Sequence, residues 1–267
     1  MLVHHLNCGT MRPRLTRETL VCHVLLIETG TSLTLVDAGI GLRDIADPTG
    51  FGSGRRLMRP DFDIAEAAIS QIQALGHDPH DVRDIVLTHF DIDHTSGLSD
   101  FPWARVHLSS TERDAVTTPQ GRREANRYSH ARLDNKNTDN NTLVPHPLTD
   151  GDDWRGFSSA TELDDIAPGI VLIGLPGHTR GHAAVAVDAG DHWVLHVGDA
   201  FYHRHQIDGG QAPFALAASE RALASDWTQV KANHHTLAEL WAYPESDLVM
   251  VNAHDPELLR RAQTPNS

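Results

Sequence analysis

Cysteine is almost absent from this sequence of 267 residues, which contains only Cys8 and Cys22. Two cysteines are too few for a disulfide framework and argue against a thiolate metal site, so both are interpreted as ordinary reduced thiols. No run approaches the ~18–20 apolar residues of a membrane-spanning helix. The segment from Met1 to Arg17 also lacks the apolar region of a signal peptide. These absences predict a cytoplasmic protein that does not cross a membrane.

Positive charge is scarce as well, because 22 lysines and arginines are outnumbered by 36 aspartates and glutamates. The formal net charge is −14 with histidine neutral. Nucleic acids and anionic membranes attract basic surfaces, so this balance argues against both as partners. The expected partner is a small-molecule substrate. Hydrophobic residues make up 40% of the chain, which is enough for the core of a single domain over residues 1–267. The oligomeric state is left open.

Metal-binding side chains, by contrast, are concentrated in one short segment. His89, Asp91, Asp93 and His94 fall within six positions and directly follow the apolar run 85–87. Imidazoles and carboxylates are the ligands of hydrolytic metal ions that keep one position open for water. A buried strand that ends in such a loop would hold these groups on a rigid support. This segment is therefore the main candidate for a metal site.

Four further fragments carry residues of the same kind. Asp37 ends an early apolar run, and His178 and His182 lie in the turn Gly-His-Thr-Arg-Gly-His. Asp199 follows a later apolar run, and His254 comes near the end of the chain. No Gly-x-Ser-x-Gly motif offers a competing serine nucleophile.

Taken in order, these fragments resemble the metallo-β-lactamase superfamily. Its signature is H-x-H-x-D-H, followed by a His in a Gly-His-Thr-x-Gly-His turn, an Asp and a late His. The resemblance extends from about Val21 to His254. It implies an α/β fold, a four-layer αββα sandwich of the metallo-β-lactamase type, with a metal cleft at one edge of the two sheets. In one departure, Asp91 stands where most members have the second His.

The resemblance also implies a role for each ligand. His89, Asp91 and His178 would bind one metal ion, Asp93, His94 and His254 a second, and Asp199 would bridge the two. Two ions ~3.5–4 Å apart activate a shared water as a nucleophile. We expect two divalent ions with zinc first, and with manganese or iron as alternatives because the carboxylate of Asp91 hardens the site. Alternatively, Asp91 only orients a neighbouring ligand.

Tyr202 follows Asp199 by three positions, and this Asp-x-x-Tyr arrangement resembles the N-acyl-homoserine lactonases of the superfamily. The resemblance implies that its hydroxyl donates to the substrate carbonyl or the leaving oxygen. The alternative is an aromatic ring that only packs beside the sheet. Asp93 and Tyr202 are the candidate catalytic residues. His182 and Asp37 are expected to support the ligand loops without binding metal.

Apolar periodicity predicts the remaining elements. Strands are predicted at 20–28, 32–37, 85–88, 105–109, 169–175, 183–188, 193–197 and 248–251. Helices are predicted at 63–75, 221–240 and 256–262, and a further helix is predicted to begin within 94–101. The segment 39–60 is rich in Gly, Pro and Arg and is predicted to be a loop over the site. The polar segment 121–147 is predicted to be an insertion, either a solvated loop or a substrate lid.

The leading functional hypothesis is a metal-dependent hydrolase of a small ester-like substrate, with a lactone first. A thioester hydrolase resembling glyoxalase II is the alternative within the same chemistry. Two hypotheses come from other classes. Related flavo-di-iron proteins also place a carboxylate at the position of Asp91, which suggests a redox di-iron protein, and a ligand sensor could have kept the fold without turnover.

Overall fold

Two six-stranded sheets form the centre of the computed structural model, which describes residues 1–30, 32–52, 54–129, 142–148, 152–242 and 247–264. The first sheet contains, in spatial order, β1 (Leu2–Asn7), β2 (His23–Glu28), β3 (Leu33–Val36), β4 (Val82–Val86), β5 (Arg105–Ser109) and β6 (Leu143–His146). The second has the order β12 (Leu248–Val251), β11 (Trp193–His196), β10 (Ala183–Asp188), β9 (Ile170–Gly174), β8 (Phe157–Glu162) and β7 (Asp152–Trp154). Both sheets are mixed, with parallel pairs from β3 to β6 and between β11 and β12.

The burial of alternate residues shows that both faces of each sheet are covered. In β2, Leu25 and Ile27 belong to a core shared with Val185 of the second sheet, whereas Leu26 faces the helix residue Ile72 on the other side. A strand buried on both faces has a nearly continuous apolar sequence, as β2 has. A separate core covers the outer face of the second sheet, where Leu237 and Leu258 are helix residues. The layers therefore follow the order helix, sheet, sheet, helix, which confirms the predicted αββα sandwich.

The α-helices flank these sheets. They are α1 (Leu42–Ala46), α2 (Gly54–Met58), α3 (Ala68–Ala74), α4 (Ile92–Thr95), α5 (Ser110–Thr117), α6 (Gly121–Arg127), α7 (Phe214–Leu223), α8 (Trp227–Ala242) and α9 (Pro256–Gln263), joined in places by short 3-10 turns. None of the helices in the described ranges has the length and apolar character that a bilayer crossing requires.

Several predicted boundaries were wrong. The helix expected over 221–240 is two helices, because Asp226 accepts hydrogen bonds from the backbone of Thr228 and Gln229 and so begins α8 anew. The segment 39–60 contains α1 and α2, and 121–147 contains α6 and β6. Residues 130–141 of that second segment lie outside the described residues, so its interpretation as a lid stays a prediction. Strand β1, which apolar periodicity did not predict, forms one edge of the first sheet.

Asp37, at the end of β3, is hydrogen-bonded to the loop that follows β4. Its carboxylate accepts hydrogen bonds from the Thr88 backbone N–H (2.8 Å) and hydroxyl (2.8 Å) and contacts Nδ1 of His94 at 2.8 Å. The backbone of Asp37 has φ 59°, the left-handed region that aspartate tolerates better than most residues. The side chain thus orients a candidate ligand from behind, which is the supporting role expected from the sequence.

Glu112 holds the other side of the cleft together. This carboxylate is fully buried in α5. One oxygen accepts from the Phe90 backbone N–H (2.9 Å) and the Tyr128 hydroxyl (2.9 Å), and the other from the Thr179 hydroxyl (2.7 Å) and the Gly181 N–H (3.1 Å). A Cβ on Gly181 would lie 2.0 Å from the backbone nitrogen of Glu112, so only glycine permits this approach. One side chain therefore joins three separate segments.

Replacing Glu112 with Gln should destabilise the protein. An amide nitrogen cannot accept, so whichever oxygen it replaces, one backbone N–H, of Phe90 or of Gly181, loses its acceptor in a buried place. We expect the free energy of unfolding to fall by about 1–3 kcal/mol, measured by urea denaturation of chelator-treated protein. The matched control is Glu239→Gln on the exposed face of α8, which should change stability by less than about 0.5 kcal/mol. Equal stabilities of the two variants would contradict the role given to Glu112.

Candidate metal centre

Six of the seven predicted ligands converge into two groups of three. His89, His178 and Asp199 form one group, and Asp93, His94 and His254 form the other, with the potential ligand atoms of each group within 4.8 Å of one another. They come from five segments: the loop after β4, the start of α4, the turn between β9 and β10, the loop after β11 and the loop between β12 and α9. We refer to these six side chains together with Asp91 as the centre.

Asp199 lies between the two groups. Its Oδ1 is 3.2 Å from Nε2 of His94 and 3.1 Å from Nε2 of His254. Its Oδ2 is 3.3 Å from Nε2 of His178 and 3.9 Å from Nε2 of His89. Nε2 of His254 is also 3.2 Å from Oδ2, so the carboxylate as a whole contacts ligands of both groups, as a carboxylate that bridges two ions must.

The hydrogen bonding of the centre fits bound cations. Among the described residues, Nε2 of His89, Nε2 of His94 and Oδ1 of Asp199 are buried and have no hydrogen-bond partner. Buried polar atoms are normally paired, and leaving one unpaired costs about 1–3 kcal/mol. Converging imidazole nitrogens and carboxylate oxygens are the donor set of a first-row divalent ion. The residues therefore fit the two metal ions that the sequence predicts.

In three of the four imidazoles, those of His89, His94 and His254, Nδ1 contacts a residue outside the two groups, whereas Nδ1 of His178 has no hydrogen-bond partner among the described residues. Nδ1 of His254 lies 2.8 Å from the carbonyl oxygen of Val21, and Nδ1 of His89 lies 3.0 Å from the hydroxyl of Thr88. His182 belongs to neither group: its Nδ1 contacts the carbonyl of Leu175 (2.9 Å), and its Nε2 accepts from the Asp199 backbone N–H (3.0 Å). It holds the backbone of Asp199 in place, as expected of a supporting residue.

The electrostatics keep the bridging carboxylate ionised. Burial alone would raise the pKa of Asp199, but His254, His94 and His178 hold that pKa well below its usual range. Burial alone would lower the pKa of His94, but Asp199 and Asp37 raise it well above its usual range. His94 and Asp199 thus stabilise each other's charges, and a divalent cation would replace the proton on His94.

Asp91 is held by an arginine that sequence reasoning missed. Nε and Nη2 of Arg127 donate to the two oxygens of Asp91 at 2.6 and 2.5 Å, a bidentate pair. Burial alone would raise the pKa of Asp91, and Arg127 lowers it far below its usual range. Oδ2 of Asp91 is still only 3.1 Å from Nε2 of His178 and 3.3 Å from Nε2 of His89. Asp91 is therefore at the edge of the first group, and its charge is offset by Arg127, whose Nη2 is itself 2.6 Å from Nε2 of His178.

Arg127 also fixes the surroundings of the centre. It donates to the carbonyl oxygens of His178 (3.0 Å) and Leu223 (2.9 Å), so it links the metal-side turn to the end of α7. The sequence gives only an indirect indication of such an arginine. A carboxylate in place of an imidazole adds a negative charge, which a nearby cation can offset. No local pattern says which of the arginines supplies it.

An apolar pocket of about 250 Å³ opens onto the centre. Asp91, Asp93, Asp199 and His254 line its polar end. Its walls come from the N-terminal segment, from Phe51, from α2 and from α7. They include Met11, Leu15, Leu20, Phe51, Leu57, Met58, Leu216 and Leu223. The segment 39–60, which was predicted to be a loop over the site, thus lines the pocket, but it does so with helical residues.

Tyr202 lies where the pocket meets the centre. Its ring contacts His254 and His178 edge-on, with centroid distances of 5.5 and 5.9 Å, and packs in the apolar cluster that contains Leu216. Burial, and then the charge of Asp199, raise the pKa of Tyr202 well above its usual range, so the phenol keeps its proton. The residue packs beside the sheet and also lines the pocket.

The sequence of this chain is similar to those of known proteins. Residues 17–240 match the metallo-beta-lactamase superfamily. The chain is 48% identical over 263 residues to a probable metallo-hydrolase of Mycobacterium tuberculosis, covering 98% of this chain and 82% of that protein. It is 26% identical over 230 residues to the N-acyl homoserine lactonase AttM of Agrobacterium fabrum, covering 84% of this chain and 78% of that one.

Solved structures show the same fold. A mutant of AiiA from B. thuringiensis, solved with N-decanoyl-L-homoserine bound at the active site, superposes with a TM-score of 0.70 at 19% identity, over 98% of this chain and 97% of that one. AidC, a dizinc quorum-quenching lactonase, superposes with a TM-score of 0.61 at 17% identity, over 90% and 74% of the two chains. With its sequence match, its four layers and its ligand order, this chain belongs to the metallo-beta-lactamase superfamily and is a metallo-hydrolase.

Proposed function

We propose that this protein hydrolyses small lactones that carry an apolar substituent. The observation that carries the proposal is the pocket, whose walls are apolar and whose inner end is formed by Asp93, Asp199, His254 and Tyr202. A neutral ester with an apolar tail would place its tail along the walls and its carbonyl at the centre. The lactonase relatives support the same substrate class.

The centre would hold two divalent ions, with zinc expected first. His89, His178 and Asp91 would bind one, Asp93, His94 and His254 the other, and Asp199 both. When bound, such ions lower the pKa of water toward neutrality and polarise a carbonyl. Manganese and iron are the alternatives that the carboxylate of Asp91 allows.

Residues of the protein would exclude water, donate a hydrogen bond and transfer the proton. The apolar walls exclude bulk water from the ester, which strengthens hydrogen bonds and charge interactions at the centre. The protonated hydroxyl of Tyr202 would donate to the carbonyl or leaving oxygen. Asp93, which is partly exposed at the inner end of the pocket, would move the proton from the attacking water toward the leaving group.

The substrate class is tested with a panel assayed on metal-loaded protein. N-acyl homoserine lactones with short and long acyl chains, open-chain alkyl esters and acyl thioesters would be compared by kcat/KM, with the products identified by mass spectrometry. The proposal expects lactones to be the best substrates and longer acyl chains to lower KM, because the pocket walls are apolar. Cleavage of thioesters alone would overturn it in favour of a thioester hydrolase, and oxygen-dependent turnover with bound iron would overturn it in favour of a redox protein.

Two ions per chain should be found by elemental analysis, and Asp199→Ala should lose both. The bridging position explains this expectation, because the carboxylate of Asp199 contacts ligands of both groups. Activity should fall at least about 100-fold, the order expected for lost transition-state stabilisation. His182→Ala, which removes only a backbone support, should retain metal and lose about 10–100-fold. One ion in the Asp199 variant would contradict the bridging assignment.

Tyr202→Phe should leave the metal content unchanged and lower kcat. The ring packing remains and only the donor is lost, so we expect a decrease of about 10–1000-fold. The decrease should be larger for lactones than for thioesters, since an alkoxide leaving group is more basic than a thiolate and depends more on a donor. Wild-type rates on every substrate would mean that Tyr202 acts only in packing.

Arg127→Met should impair turnover without releasing metal. The three carboxylates of the centre carry three negative charges, and Arg127 reduces this to the two that a histidine at position 91 would leave. We expect kcat/KM to fall about 10–100-fold, while resistance to a chelator is kept or increased. The double variant Asp91→His/Arg127→Met, which restores the charge with an imidazole, should regain most of the rate. A double variant no faster than the single one would show that Arg127 acts through its bonds to His178 and Leu223 instead.

A further inference from the structure

A third group of potential metal ligands lies on the first sheet, away from the centre. It consists of His4 on β1, Glu28 at the end of β2 and His77 just after α3, with their ligand atoms within 4.8 Å of one another. Nε2 of His4 is 2.8 Å from Oε1 of Glu28, and Nε2 of His77 is 3.5 Å from the same oxygen. Two imidazoles therefore converge on one carboxylate.

The backbone places all three residues. In the antiparallel pair of β1 and β2, Leu2 is opposite Glu28 and His4 is opposite Leu26. His4 and Glu28 are thus diagonal neighbours on the same face, within reach of each other for long side chains. His77 follows Gly76, which has φ 89°, and its backbone N–H donates to the carbonyl of Ile72 at 3.1 Å. This is the Schellman ending of a helix, which fixes the position of His77 before any ion binds.

This group is independent of the centre. Glu28 pairs with Leu33 at the beginning of β3, whereas the centre begins beyond Asp37 at the other end of that strand. Four residues of strand separate these ends by about 13 Å. An ion at one place therefore does not share a ligand with the other.

We propose that His4, Glu28 and His77 bind one further divalent cation, zinc or a similar first-row ion, through two nitrogens and one oxygen. Ligands about 2.0–2.1 Å from a tetrahedral zinc ion are about 3.3 Å apart, close to the 3.5 Å between His77 and Glu28. The 2.8 Å distance between Nε2 of His4 and Oε1 of Glu28 would increase, because both atoms would bind the ion and no longer hydrogen-bond to each other. The side chains are 25%, 33% and 29% exposed, so an ion can enter without unfolding and water can complete its coordination.

The ion would have a structural effect. Strand β1 is an edge strand held on one side by β2. A cation bound to all three residues would link β1 and β2 to the end of α3, and would stabilise the folded state because the unfolded chain does not present this site. The partial exposure predicts weaker binding than at the buried centre.

Calorimetric titration tests the site directly. Protein stripped with a chelator and reloaded with two equivalents of zinc would be titrated with zinc chloride, and thermal unfolding would be followed with and without excess zinc. Wild type should bind one further equivalent and unfold at a higher temperature in excess zinc. The variant His4→Gln/His77→Gln should lose both effects and keep its hydrolase activity, with Glu28→Gln as a second variant.

The matched control is His235→Gln, which removes an exposed imidazole 3.4 Å from Glu239 on α8 and should titrate like wild type. The proposal is overturned if wild type takes up no further ion, or if the double variant takes it up with unchanged affinity. The comparison of wild type with the double variant does not depend on how many ions the centre holds. Failure of the proposed hydrolase function would therefore leave this test intact.

Discussion

The fully buried carboxylate of Glu112 is the interaction on which the geometry of the centre depends. Its two oxygens accept four hydrogen bonds from the loop after β4, from the residue after Arg127 and from the turn that contains His178. A buried carboxyl group is stable only when its oxygens are hydrogen-bonded, so these segments are held in an arrangement that provides those bonds. Asp37 does the same for Thr88 and His94 on the other side of the cleft. The ligands are thus placed by two carboxylates that need not touch an ion.

The balance of charge distinguishes this centre from the H-x-H-x-D-H pattern. A third carboxylate would make the ligand set more negative and weaken the power of bound cations to acidify water. The bidentate pair between Arg127 and Asp91 offsets that charge within hydrogen-bond distance of His178. Because Arg127 also binds carbonyls of the His178 turn and of α7, the same side chain couples the charge of the centre to a wall of the pocket. The position of that pocket wall and the electrostatics of the centre are therefore physically connected.

Most of the apolar wall of the pocket comes from parts of the chain that carry no ligand of the centre. Its walls are the N-terminal segment, the short helices after β3 and α7, which pack over the strand ends. This division is common in enzymes, where a scaffold holds the reacting groups and variable segments select the substrate. Tyr202 belongs to both parts, since it packs against Leu216 and lies beside His178 and His254.

The sequence by itself, through its resemblance to a known family, predicted the fold class and named the six side chains that the structure brings into two groups, with Asp91 counted as a further ligand. His89, Asp93 and His94 lie within six consecutive positions. The order of the remaining ligands along the chain can be recognised without knowledge of the tertiary structure. The tertiary structure alone decided the partners. Ser109-x-x-Glu112 has the local form of a helix capping box, yet the carboxylate bonds three distant segments. Arg127 meets Asp91 across 36 positions, and His77 meets Glu28 across 49. Such contacts leave no periodic trace, because they form only when the sheets and helices pack and bring together residues that no local pattern relates.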